Sequence, residues 1–266
     1  MQLEITHTTR YTYDQPVDYA LQQVRLTPPD TPQQRVIDWR LDIEGGQIET
    51  EYDDHNGARV HLVSVARGGS GIAITAAGKV ETTDTAGLSG QHVGPAPLWY
   101  YCQETPLTTA GDAIKALAQE LRPVDDDLLG RLHALSNAIL QAAPYRIGQT
   151  YIATSAEDAF TGGSGVCQDH AQIFVSAARV AGIPARYISG YLMMNDRVDQ
   201  DASHAWAEAH IDGLGWVGFD ISNGISPDSR YVRLASGLDY QHAAPLSGLR
   251  LGDAKESMIV SLQIEQ

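Results

Sequence analysis

Only two cysteines, Cys102 and Cys167, occur in the 266 residues. Two thiols can form at most one disulfide, and in a reducing compartment such a pair stays free. Basic residues are scarce too: 18 Lys and Arg stand against 33 Asp and Glu, a formal charge of −15. So acidic a chain repels nucleic-acid phosphates and anionic membrane surfaces, and neither is expected as a partner. No run approaches the roughly 18–20 apolar residues that a membrane-spanning helix needs. The opening MQLEITHTTRYTYDQP lacks the apolar core of a secretory signal, so a cytoplasmic location is the default expectation. There are no repeats, no Walker loop, no dinucleotide fingerprint, and neither Cys-x-x-Cys nor His-Glu-x-x-His.

What is there is an ordinary globular content, 43% hydrophobic, at a length suited to one large domain or two of usual size. The first hundred residues read as strands. EITHTTRYTY (4–13) alternates with period two and is rich in β-branched and aromatic residues. Segments 24–29, 36–44, 47–54, 58–68 and 71–83 repeat the pattern between Asp-Thr-Pro, Gly-Gly, Asn-Gly and Gly-Gly-Ser turns, which predicts an antiparallel β-sandwich. After a Pro, Gly and aromatic stretch (92–109), helical periodicity appears at 110–122 and at 125–143. The second of these begins with three acids, suited to a helix dipole. Strand patterns return at 185–194, 203–212, 215–222 and 257–265. Helices followed by strands predict an α+β architecture, with a boundary near 105 dividing a β-rich domain (1–105) from a mixed helix and strand core (106–266).

Cys167 follows GGSG and opens a helical pattern that ends at Gly182-Ile-Pro184. On a helical wheel Val166, Ile173, Phe174, Ala177, Ala178 and Ala181 form one side, with Gln168, Gln172, Ser176 and Arg179 opposite. Cys167 thus falls in the first turn, where the helix's positive end favours a thiolate and where unpaired amides can hold an oxyanion. A small residue at that place can equally be mere packing, so the chemistry needs a partner. The segment DASHAWAEAHIDGLGWVGFDISNG (201–224) supplies one. His204 opens a strand, the DGLG turn returns the chain, and counting back from the loop brings Asp220 to the level of His204 within one or two residues. Trp206 and Trp216 are expected to shield that pair, and His210 to face solvent at the hairpin end. His7, His55, His61, His92, His133 and His242 have no chemical neighbour in the sequence. His170, one turn beyond Cys167, can touch the sulfur but is badly placed to face a substrate. Cys167, His170, His204 and Asp220 also have metal-ligand side chains, but the spacing of a structural zinc site is missing.

These blocks, GGSGVCQDHAQIFVSAARVAGIPARYISGYL, SHAWAEAHIDGLGWVGFDISNG and YVRLASGLDYQHAAPLSG, resemble the bacterial transglutaminase-like family, and RYTYDQPVDYALQQVRLTPP, WRLDIE and DDHNGARVH resemble its β-rich N-terminal domain. The resemblance implies a papain-like core and places nucleophile, base and orienting acid on Cys167, His204 and Asp220. It departs after Cys-Gln-Asp: His170, Ala171 and Gln172 stand where the family has an aromatic residue, then Ala and His. The expected function is cysteine-dependent acyl transfer on a peptide or protein amide, by hydrolysis as protease or amidase. The alternatives are protein-glutamine cross-linking and an idle core serving as a binding scaffold. This chemistry needs no metal or cofactor. Cys102, among Trp99, Tyr100 and Tyr101, is expected to pack at the domain junction.

Overall fold

The computed structural model describes residues 1–122, 127–200 and 202–266. Its order is β1 (Gln2–Val17), β2 (Tyr19–Thr27), β3 (Gln34–Glu44), β4 (Gly46–Asp53), β5 (Arg59–Val65), β6 (Gly69–Thr82) and β7 (Leu88–Gly90), then α1 (Asp112–Leu117), α2 (Leu128–Ala142), α3 (Ala156–Gly162) and α4 (Cys167–Val180). There follow β8 (Ala185–Leu192), β9 (Asp199–Gln200), β10 (His204–Ile211), β11 (Gly215–Phe219), β12 (Tyr231–Gly237), α5 (Tyr240–Ala243), β13 (Leu246–Leu251) and β14 (Glu256–Glu265). The α+β expectation holds, and every paired strand is antiparallel.

Among the described residues the strands form three sheets. One has the order β3-β6-β1-β14-β9 and a second β13-β2-β5-β4. They pack through the inward halves of their alternating strands: Leu3, Ile5, Tyr11, Val24, Leu26, Val63, Ile72 and Ile74 share one buried cluster. The third sheet, β12-β8-β10-β11-β7, is the floor on which α4 lies. Ala205, Ala207 and Ala209 of β10 are buried with Ile173, Phe174, Ala177 and Ala178 of α4 in a second cluster. Small side chains on the strand bring the helix close.

Sheet membership does not follow the boundary at 105. β7, from before it, is the edge strand of the third sheet beside β11, while β13 and β14, from after it, pair with β2 and β1. His7 adds a further tie: its Nδ1 lies 2.8 Å from the Tyr191 hydroxyl of β8.

The polar side of α4 is not solvated, contrary to a simple wheel reading. Gln172, Ser176 and Arg179 are all buried. Segment 101–110 takes the Ser176 hydroxyl on the Thr108 carbonyl and Arg179 on the Tyr101 carbonyl, and Arg179 also donates to the carbonyls of Ala185 and Leu238. The charge-assisted bonds of Arg179 thereby replace water on a helix whose polar side is buried. Among elements absent from the sequence reading, α3 begins at Ser155, whose hydroxyl accepts from the Asp158 amide. Of the three acids read at the start of α2, Asp127 is the cap and accepts from the Gly130 amide at 2.8 Å, while Asp125 and Asp126 lie outside the described residues.

Candidate active site

Cys167 is the first residue of α4, with Val166 as cap. The turn before it is fixed from two directions. The Asp169 carboxylate accepts from the Val166 amide at 2.8 Å and from the Thr150 hydroxyl at 2.7 Å. Gly165 passes so close to Asp169 that an added Cβ would lie 2.7 Å from its Cβ, so the chain needs glycine here. The first-turn amides have no acceptor within the helix and surround the thiol with partial positive charge.

His204 comes from the start of β10. The hairpin register pairs Ala207 with Phe219 and His210 with Trp216, so Asp220, one step beyond Phe219, falls on the diagonal from His204. His204 Nε2 donates to Asp220 Oδ2 at 2.6 Å. Cys167 lies near enough for its charge to couple to the same ring. Burial alone pushes the His204 pKa down, but the charge on Cys167 and the bond to Asp220 prevail and raise it to about 10. The ring therefore holds its second proton at neutral pH. The three residues nominated from sequence are thus brought together.

Asp220 is fully buried and richly served. Its Oδ2 also accepts from the Tyr231 hydroxyl and from Asn223 Nδ2, both at 2.7 Å, and its Oδ1 accepts from the Asn223 amide at 3.2 Å. Burial works to raise its pKa, but His204, Tyr231 and Asn223 hold it below the usual Asp value. An aromatic wall dries the pair. The Trp206 ring stacks 6.4 Å from His204, and Tyr231 stands edge-on to Trp206 at 5.5 Å. Gly190, opposite His204 on β8, makes room for the indole: a Cβ there would come within 2.7 Å of its edge.

Other sequence readings need correction. Trp216 does not shield the pair; it lies at the far end of the hairpin under Arg186, whose guanidinium carbon is 4.0 Å from the ring centre. His210 is not turned to solvent but packs edge-on to Trp216 at 5.4 Å. His170 faces away from the sulfur. Its Nε2 donates to the Ala143 carbonyl at 2.7 Å and its Nδ1 accepts from the Ser222 hydroxyl at 2.8 Å, while burial lowers its pKa and keeps the ring neutral. It ties α4 to the end of α2 and to the turn after Asp220. Cys102 is half-buried, its thiol 3.9 Å from the Gly182 carbonyl, and burial raises its pKa; both thiols are free. Sequence reasoning missed Tyr231 and Asn223. Asp-x-x-Asn-Gly carries a turn signal for Asn223, whereas nothing local marks Tyr231.

Residues 115–221 match the transglutaminase-like superfamily and residues 3–81 the bacterial transglutaminase-like N-terminal region. An uncharacterised protein of Mycobacterium leprae is 26% identical over 283 residues, covering 98% of each chain. A protein-glutamine gamma-glutamyltransferase of Pseudomonas aeruginosa is 30% identical over 158 residues, 51% of this chain but 22% of that protein. The crystal structure of a candidate cysteine protease from Cytophaga hutchinsonii shares the fold, with a TM-score of 0.74 and 23% identity over 100% of this chain and 93% of that one. The core is papain-like, as the resemblance implied. With both regions matched in order, one on the sandwich and one on the sheet that carries His204, the chain belongs to the bacterial transglutaminase-like family.

Proposed function

We propose that the protein is a cysteine-dependent acyl-transfer enzyme that hydrolyses amide or peptide bonds, with Cys167 as nucleophile, His204 as acid and base, and Asp220 as the group that orients the imidazole. One observation carries this reading: an imidazole bonded by one nitrogen to a buried carboxylate is charge-coupled to a sulfur at a helix N-terminus. Such a ring keeps a proton beside a thiolate and can deliver it to a departing amine.

In the first half-reaction the sulfur attacks the carbonyl carbon, a C–S bond forms, and the displaced electron pair rests on the oxygen near the Cys167 amide. Collapse breaks the C–N bond, and the amine leaves with the proton from His204. Water then attacks the thioester while His204 takes its proton. The C–S bond breaks, the acid departs, and the thiolate and imidazolium are restored. Each step uses this chain's own residues and a peptide or protein amide, without metal or cofactor.

Transamidation is the second reading, favoured by the activity named for the Pseudomonas relative; an amine would then replace water at the thioester. Dimethylcasein with dansylcadaverine separates the two. Ammonia or peptide release without dansyl incorporation supports hydrolysis, and incorporation supports transamidation. Turnover that survives Cys167→Ala refutes both. Equal, slow iodoacetamide labelling of Cys102 and Cys167 would favour a binding role for the core.

A further inference from the structure

The loop that precedes α3 is built in an unusual way for so acidic a chain. From 128 to 156 there is not one Asp or Glu, although the whole sequence holds 33. Within the loop four large side chains stand in solvent: Tyr145 at 47% exposure, Ile147 at 80%, Tyr151 at 73% and Ile152 at 61%. Exposed apolar side chains so concentrated carry a hydration cost that folding does not recover.

The same loop is fastened to the nucleophile's turn by its polar groups. Tyr145 bridges Gly165, and the Arg146 amide donates to the Gly165 carbonyl at 2.9 Å. Thr150 donates to Asp169, and Gln168 Nε2 reaches the Ile152 carbonyl at 3.4 Å. Residues 165, 168 and 169 flank Cys167, so these anchors lie within two residues of the nucleophile in the chain. Tyr145 also senses the charges of the site: burial first, then the charges of Cys167 and Asp220, raise the pKa of its phenol. The backbone is thus tied down beside the thiol while the apolar side chains are left free. Fixed, pre-ordered apolar groups cost little entropy when a ligand covers them.

We infer that Ile147, Tyr151, Ile152 and the ring of Tyr145 form the wall that receives bulky apolar side chains of a peptide lying across Cys167, and that they select apolar over charged or glycine-rich substrates. The loop itself contributes no carboxylate, and Asp169, which anchors it, is buried, so the exposed wall offers a cationic side chain no partner of its own. This rests on Cys167 being the nucleophile proposed above.

The test uses tripeptidyl chloromethyl ketones ending in glycine, with Leu-Phe, Gly-Gly or Lys-Lys before it. Each inactivation rate is divided by the iodoacetamide rate of the same protein, both read at Cys167 by mass spectrometry. The Leu-Phe probe should exceed the other two by about tenfold or more, equivalent to burying roughly one aliphatic side chain. In the Ile147→Ser, Tyr151→Ser, Ile152→Ser variant that ratio should fall to within about threefold of the Gly-Gly probe. Equal ratios for all probes in the natural protein, with a reactive Cys167, overturn the wall and leave the nucleophile standing. A preference that survives the triple substitution also overturns it. A Cys167 no more reactive than Cys102 overturns both readings.

Discussion

Replacing Asp220 by Asn keeps the size of the side chain and removes its charge. In the native protein the carboxylate accepts from His204, Tyr231 and twice from Asn223, and no water reaches it, since Asp220 is fully buried. An amide has one acceptor oxygen in place of two. If that oxygen stays opposite His204, the NH2 group confronts the Asn223 amide, donor against donor; if it flips, the NH2 confronts His204, Tyr231 and Asn223 Nδ2 together. One unmatched buried contact costs about 1–3 kcal/mol of stability, so the first arrangement is the one the variant adopts. The larger effect is on the ring. A hydrogen bond from a charged imidazolium is worth about 1.5–3 kcal/mol, so losing the carboxylate should move the deprotonation of His204 about one to two pH units down from 10. The upper edge of the pH window in which His204 holds its second proton therefore moves down by about one to two units, and the step that this ring imposes on the alkylation profile moves with it. The assay is iodoacetamide modification from pH 5 to 9 in a Cys102→Ser background, which isolates Cys167. An Asp220→Asn profile that superimposes on the parent profile would refute the coupling of carboxylate, ring and sulfur.

Other perturbations separate structure from chemistry. His170→Phe should cost about 1–3 kcal/mol in urea unfolding, since it strands the Ala143 carbonyl and the Ser222 hydroxyl, yet leave the pH profile of Cys167 alkylation in place. A profile lost with His170 would make that ring the base. Gln172 is fully buried, and among the described residues neither atom of its amide meets a hydrogen-bond partner. Gln172→Met should therefore raise stability by about 1–2 kcal/mol, and a fall in the urea midpoint would show that the amide is paired. His7 is held neutral by burial, its pKa lowered from 6.5 to about 4. The unfolded chain binds that proton first as pH falls, so stability drops between pH 6.5 and 4 by up to about 3 kcal/mol, a loss that thermal melts of His7→Gln should largely lack. His204 has the opposite sign: with its folded pKa near 10, its contribution is whole below pH 6.5 and is lost as pH rises from 6.5 through 10.

The features legible in the sequence are those encoded by short periods. Alternation along 4–13 gave β1, and the wheel positions of Ile173, Phe174, Ala177 and Ala178 gave the buried face of α4. The hairpin 204–219 was legible because a tight turn fixes register, and register alone carries Asp220 to the diagonal of His204. Features set by distant residues were not legible. Nothing near 256–265 says that this strand enters the sandwich beside β1, nor does Leu88–Gly90 announce an edge strand for the third sheet. The burial of Arg179 depends on carbonyls at 101, 185 and 238, so a wheel confined to one helix assigns it to water. His170 shows the same limit from the other side. Its spacing of three from Cys167 is right for contact, but the acceptors that turn the ring away, at 143 and 222, are contributed by other elements. A charged or polar side chain goes where its hydrogen bonds are satisfied, and in this fold those partners lie 27 and 52 residues away in the chain, beyond the reach of any local pattern.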